Sequence, residues 1–158
     1  MKTLVVYASK KGFTQSIALQ IAEGIKDGSK AVNIKREVAS CNLGDYDACI
    51  IGGYVHAGRM AGALRSWCVK HTQTLLEKKL GFFICGLDEE NYEKTIGDAF
   101  PAELVKHASE IVHAGARLVL KEYNPIVQAI LKKITKSDQD LFLDRPEAVK
   151  KLIEAFSS

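Results

Sequence analysis

Apolar residues along this chain follow two rhythms. In one, they run together in short, nearly unbroken stretches at residues 3–7, 47–53 and 80–87. Such runs predict strands buried on both faces, as the inner strands of a parallel sheet are. In the other, they recur every three or four residues. Ile17, Ile21 and Ile25, with Ala18 and Ala22 beside them, predict a helix that starts near Thr14. The same spacing predicts a helix over 59–78, with Met60, Leu64, Trp67, Cys68, His71 and Leu75 on one side. On that stripe His71 reads as a partly buried helix residue rather than a ligand. A further helix is expected over 101–113, with Leu104, Val105, Ala108, Ile111 and Val112 inward, and a fifth strand at 116–120. Residues 31–36 alternate Val32 and Ile34 with Asn33 and Lys35, the pattern of a strand wetted on one side. Residues 124–136 read as an amphipathic helix with Ile126, Val127, Ile130, Leu131 and Ile134 on one face. The chain closes on a helix with Pro146 in its first turn, a loose capping box from Asp144 and Glu147, and Val149, Leu152, Ile153 and Phe156 inward.

Strands alternating with helices predict an α/β fold, a parallel sheet with helices on both faces. The most economical order of five strands is 2-1-3-4-5, which leaves the alternating second strand at an edge. The order reverses between strands 1 and 3, so a crevice should open above their carboxyl ends. With 158 residues, 47% of them hydrophobic, the chain is expected to form one domain over 1–158 with a helical segment inserted at about 121–143. Its 22 basic and 19 acidic residues leave a charge of +3 with no concentrated basic tract, which gives nucleic-acid binding no support. No apolar run reaches the ~20 residues of a membrane-spanning helix, and the opening residues read as the first strand rather than a signal peptide. Cys41, Cys49, Cys68 and Cys85 form no C-x-x-C and no metal-ligand spacing, so no metal site and a reduced, cytoplasmic setting are expected.

The candidate chemistry begins in the turn after the first strand: Ser9, Lys10, Lys11, Gly12, Phe13 and Thr14. Neither G-x-x-x-x-G-K-[ST] nor G-x-G-x-x-G is present. Two hydroxyls around a glycine, at the positive end of a helix, suit a single phosphate monoester. They equally suit a helix cap with a glycine-relaxed turn, and the loop alone leaves both readings open. The predicted topology brings this loop together with residues 53–58 and 86–92, which favours a ligand site.

The Ser-x-x-Gly-x-Thr loop (Ser9, Gly12, Thr14) resembles the phosphate loop of the flavodoxin-like family, written [ST]-x-[ST]-G-x-T, with Ser16 a candidate outer contact. Lys11 stands where the family places a hydroxyl, and Phe13 where it often has asparagine; Lys10 or Lys11 could offset the missing hydroxyl by charge. The resemblance implies a flavodoxin-like three-layer sandwich that binds FMN. It implies that Gly53, Tyr54, Val55, His56, Ala57 and Gly58 line one side of the flavin ring and Gly86, Leu87, Asp88 and Tyr92 the other. Tyr54 and Tyr92 are then candidates for stacking, Gly58 for a carbonyl turned towards the flavin N5–H, and His56 for a flavin carbonyl or the electron partner. No acid–base catalyst can be read from spacing.

The implied function is electron transfer through a non-covalent flavin, with a redox protein or a quinone as partner. The segment at 121–143, with the Tyr-Asp-x-x-Ile-Ile-Gly strand, is also similar to the menaquinone-dependent protoporphyrinogen IX dehydrogenases, flavodoxin-fold enzymes working at the membrane. That likeness adds peripheral membrane contact through 124–136 as an expectation, beside a helix that packs on the sheet or extends a homodimer surface. A phospho-receiver on the same topology would need carboxylates where Ala8, Ser9, Lys10, Gly52 and Gly53 stand. A flavin-free interaction module is the remaining alternative.

Overall fold

The computed structural model describes residues 1–56 and 59–158, His56 by its backbone alone. Its main sheet contains β1 (Thr3–Tyr7), β2 (Lys30–Asn33), β3 (Ala48–His56), β4 (Arg59–Met60), β5 (Lys79–Cys85) and β6 (Glu110–His113). The strands run in the order β2-β1-β3-β5-β6, all parallel, with β4 folded back antiparallel onto the end of β3. This is the predicted order, edge strand included.

Each inner strand divides its residues between two cores. Leu4 and Val6, Cys49 and Ile51, and Leu80, Phe82 and Ile84 face one; Val5 and Tyr7, Ala48 and Ile50, and Phe83 and Cys85 face the other. That alternation explains why the runs read as continuously apolar. Helices α1 (Phe13–Ile25) and α7 (Pro146–Phe156) cover the second core. The first is covered by α2 (Gly62–Lys70), α3 (Thr72–Leu76), α4 (Tyr92–Ala99) and α5 (Ala102–His107). The cores hold Cys49, Cys68 and Cys85 as buried free thiols, whose pKa values burial raises, to about 12 for Cys68 and Cys85.

Four expectations are corrected. The fifth parallel strand is residues 110–113, not 116–120. The helix predicted to run to His113 ends at His107, and Ala108 is extended (ψ 130°). Ile111 then faces the first core and Val112 the second, a two-sided placement that a helix stripe does not offer. The expected strand at 116–120 becomes β7 (Gly115–Leu118), which leaves the sheet at Gly115 (φ +106°) and pairs antiparallel with β8 (Leu141–Asp144). The helix over 59–78 is a hairpin strand followed by α2 and α3, divided at His71, whose pKa burial and Lys70 lower. There the Thr72 hydroxyl donates to the Cys68 and Val69 carbonyls. Lastly, α7 has Arg145 at its N-cap with no side-chain cap, so the capping box from Asp144 and Glu147 does not form.

The inserted segment is a 3-10 turn (Leu120–Glu122), α6 (Pro125–Thr135) and β8. Asn124 caps α6 by accepting from the Val127 N–H at 2.9 Å. None of the residues of α6 is fully buried and none joins either core; Ile126, Ile130 and Ile134 are exposed. No helix among the described residues is long and apolar enough to cross a membrane.

Candidate functional site

The crevice is built by strand register. Tyr7 lies beside Gly52, and Tyr54 beside Cys85, so the loops leaving β1, β3 and β5 emerge side by side at the carboxyl edge. The Ala8 N–H donates to the Gly52 carbonyl at 3.1 Å and extends that edge by one residue. Residues 9–14, 53–56 and 86–92 therefore meet where the topology places them.

In the first loop Gly12 is the N-cap of α1 and is left-handed (φ +90°), a conformation that favours glycine. The Gly12 N–H donates to Ser9 Oγ at 3.2 Å, and Ser16 Oγ donates to the Phe13 carbonyl at 2.6 Å. Ser9 thus braces the turn rather than capping the helix, which has no side-chain cap, and among the described residues its own hydroxyl proton has no acceptor. Thr14 is buried, and its hydroxyl lowers the pKa of the Cys85 thiol against the larger effect of burial. The first turn of α1 carries no acidic residue, so nothing on the helix neutralises its positive end. Lys10 is exposed. Lys11 instead reaches the insert: its Nζ donates to the Glu122 carbonyl at 2.9 Å and sits 4.7 Å from the centre of the Tyr123 ring. Phe13 reaches the bend at Gly115, where an added Cβ would lie 3.5 Å from its Cζ.

In the second loop Tyr54, Val55 and His56 are not loop residues. They continue β3, because β4 pairs back on Val55 and His56. Tyr54 and Val55 are half-buried. Ala57 and Gly58, and with them the expected carbonyl turn, lie outside the described residues.

In the third loop Gly86 is half-buried against Val55, while Leu87 and Asp88 are exposed. The Asn91 amide donates to both Asp88 carboxylate oxygens, at 3.2 and 3.0 Å. Tyr92 opens α4 with its ring edge-on to His113, centroids 5.9 Å apart, and its hydroxyl donates to Glu93 at 3.3 Å.

His113 was not legible as a site residue, because residues 101–113 read as helix; recognising a strand ending level with Gly86 would have exposed it. It is 5% exposed. The Gly115 N–H donates to its Nδ1 at 3.3 Å, which leaves Nε2–H to donate to the Gly86 carbonyl at 2.7 Å. Glu89 lies 3.3 Å from Nδ1 and is gripped by the Arg145 guanidinium in a two-point pair. Arg145, by its hydrogen bonds and charge, holds the Glu89 carboxyl below its usual range. The third loop is therefore tied to the segment that ends the insert, across 56 positions of sequence.

This arrangement places the acid-free start of α1 and the Ser9 hydroxyl at the carboxyl edge beside Tyr54 and Leu87, with the Thr14 hydroxyl buried against Cys85. Solved flavoproteins share the fold. A flavodoxin from Streptococcus pneumoniae TIGR4 superposes with a TM-score of 0.57 at 14% identity, over 99% of this chain and 98% of that one. A short-chain flavodoxin associated with a non-canonical PDU bacterial microcompartment gives 0.56 at 18%, over 99% and 95%. A flavoprotein from Lactobacillus acidophilus NCFM, in complex with FMN, gives 0.54 at 14%, over 71% of this chain and 92% of its own. In sequence, the flavodoxin domain profile matches residues 4–141. By that match, and with the strand order it requires, the chain belongs to the flavodoxin domain family.

Proposed function

We propose that the protein binds FMN without a covalent bond and transfers electrons through it. The observation that carries this reading is the meeting of the three loops above β1, β3 and β5, with α1 presenting an acid-free first turn to the crevice. The FMN held by one similar fold supports the same cofactor. Bound there, the flavin would supply the electron chemistry through its ring. The chain's own residues would bind and orient it: Ser9 and Thr14 at the phosphate, Tyr54, Val55 and Leu87 at the ring, with His113 fixing the Gly86 carbonyl of the third loop. The expected result is a purified protein with flavin absorbance that denaturation releases as free FMN. A colourless protein whose spectrum and melting temperature ignore added FMN contradicts the proposal.

A second reading, oxidation of a porphyrinogen or similar apolar substrate with a quinone as acceptor, is favoured by one feature. Ile126, Ile130 and Ile134 are 75%, 52% and 70% exposed on one stripe of α6, and Lys132 and Lys133 stand in its last turn. A helix of that form suits an anionic bilayer surface, where quinones reside. The wild type should then sediment with vesicles containing anionic phospholipid. Serine at all three isoleucines should weaken that by about tenfold or more, given the area removed from lipid. Wild-type protein that stays in the supernatant rules this reading out.

A further inference from the structure

The two candidate ring-stacking tyrosines are placed differently. Tyr54 borders the crevice, whereas Tyr92 already packs its ring against His113 and its hydroxyl against Glu93. A third aromatic, Tyr123, meets the first loop from an unexpected direction, the insert. It follows the 3-10 turn 120–122, with its N–H on the Leu120 carbonyl at 3.1 Å and its carbonyl on the Gln128 amide at 2.8 Å. The turn is further braced by the Leu120 N–H on Asp140 at 2.8 Å and by an Arg117–Glu122 ion pair at 3.1 Å. Its backbone is therefore fixed on both sides, which limits the ordering entropy lost when its ring meets a ligand.

Lys11 ties that ring to the phosphate loop. Lys11, from the loop, lies with its ammonium over the Tyr123 ring and on the Glu122 carbonyl, 111 positions away. The Tyr123 pKa is raised by burial first, then by Glu122, against Arg117, with a smaller contribution from the Tyr54 phenol. We propose that the insert is part of the cofactor site, with Tyr123 packing on the flavin ring in the place expected of Tyr92 and Lys11 holding it to the phosphate loop. This rests on the FMN reading above and adds to it a segment outside the three loops. Tyr123 is then a cofactor-contacting residue, and Lys11 positions it rather than replacing the family's phosphate-binding hydroxyl.

FMN titration followed by flavin fluorescence tests this in the full-length protein. Tyr123→Leu should weaken binding about 5- to 10-fold, the upper part of the range for one aromatic pair, and should make bound FMN brighter by removing a stacked quencher. Tyr123→Phe should stay within about twofold of wild type, because the ring and not the hydroxyl makes the contact. Hydrogen exchange on the wild type supplies a readout that needs no variant: FMN should slow exchange at residues 120–131. Unchanged affinity and quenching in Tyr123→Leu overturn the role of Tyr123, and so does FMN that leaves exchange in the insert unaltered. If Tyr123→Leu does not fold, Tyr123→Trp replaces it, and a bound-flavin spectrum identical to wild type overturns the proposal. A wild type that takes up no FMN overturns the cofactor reading itself, whereas binding with insensitive Tyr123 variants overturns this inference alone.

Discussion

The Ser9→Ala, Thr14→Val double variant is expected to bind FMN about 100-fold more weakly than the wild type, or worse. Hydrogen bonds to a charged group contribute roughly 1.5–3 kcal/mol each, and every 1.4 kcal/mol is about tenfold in affinity. Two such bonds to a phosphate dianion therefore correspond to roughly two to four orders of magnitude. The two hydroxyls are placed differently in the protein. Ser9 Oγ accepts the Gly12 N–H, so Ser9→Ala also loosens the left-handed turn that aims α1. Thr14 is buried beside Cys85, and valine keeps most of its volume there while removing the donor. Fluorescence titration gives the affinity, and a thermal melt shows that the fold survives. A wild-type dissociation constant in the folded double variant would reduce the loop to a structural turn.

The largest effect on stability is expected from Gly52→Ala. Gly52 sits in the centre of β3, between Tyr7 on β1 and Phe83 on β5. A Cβ there would come within 1.9 Å of Phe83 Cε1 and 2.1 Å of Cζ. Phe83 is fully buried, so its ring cannot leave without disturbing the core that α1 and α7 cover. Overpacking at such a site costs about 3 kcal/mol, which lowers the melting temperature of a protein this size by roughly 6–12 °C. Phe83→Leu in the Gly52→Ala background should recover part of that loss, because the flaw is a collision between these two positions. Strictly additive effects in the double-mutant cycle would show that some other contact is responsible. Because Gly52 supports the crevice from beneath, any flavin affinity should fall with the stability.

Much of this was written in local pattern. The runs at 3–7, 47–53 and 80–87 identified three inner strands, because a strand buried on two faces has no room for polar residues. The alternation at 31–36 marked the edge, and the isoleucine stripe from Ile17 to Ile25 marked α1. With these, the sheet order and the crevice followed from chain connectivity alone. The boundaries that failed share one cause. In residues 101–113 and 59–78 the apolar spacing fits a helix, but tertiary partners decided otherwise. Residues 110–113 found the open edge of β5, and residues 59–60 found the end of β3.

At the site, the residue types of the first loop were legible, yet their directions were not. Lysine at position 11 suggested charge for a phosphate; only the folded chain shows it turned to Glu122 and Tyr123. Likewise, no spacing rule joins Gly86, Glu89, His113 and Arg145, which come from three separate segments. The sequence by itself determined which stretches are inner strands, how they order, and at which edge of the sheet their loops emerge together, since hydrophobic periodicity and short connections are local properties. The tertiary structure alone decided which polar side chains face that crevice and which are occupied holding the insert. Those outcomes depend on partners that are up to 111 positions away and become neighbours only when the sheet forms.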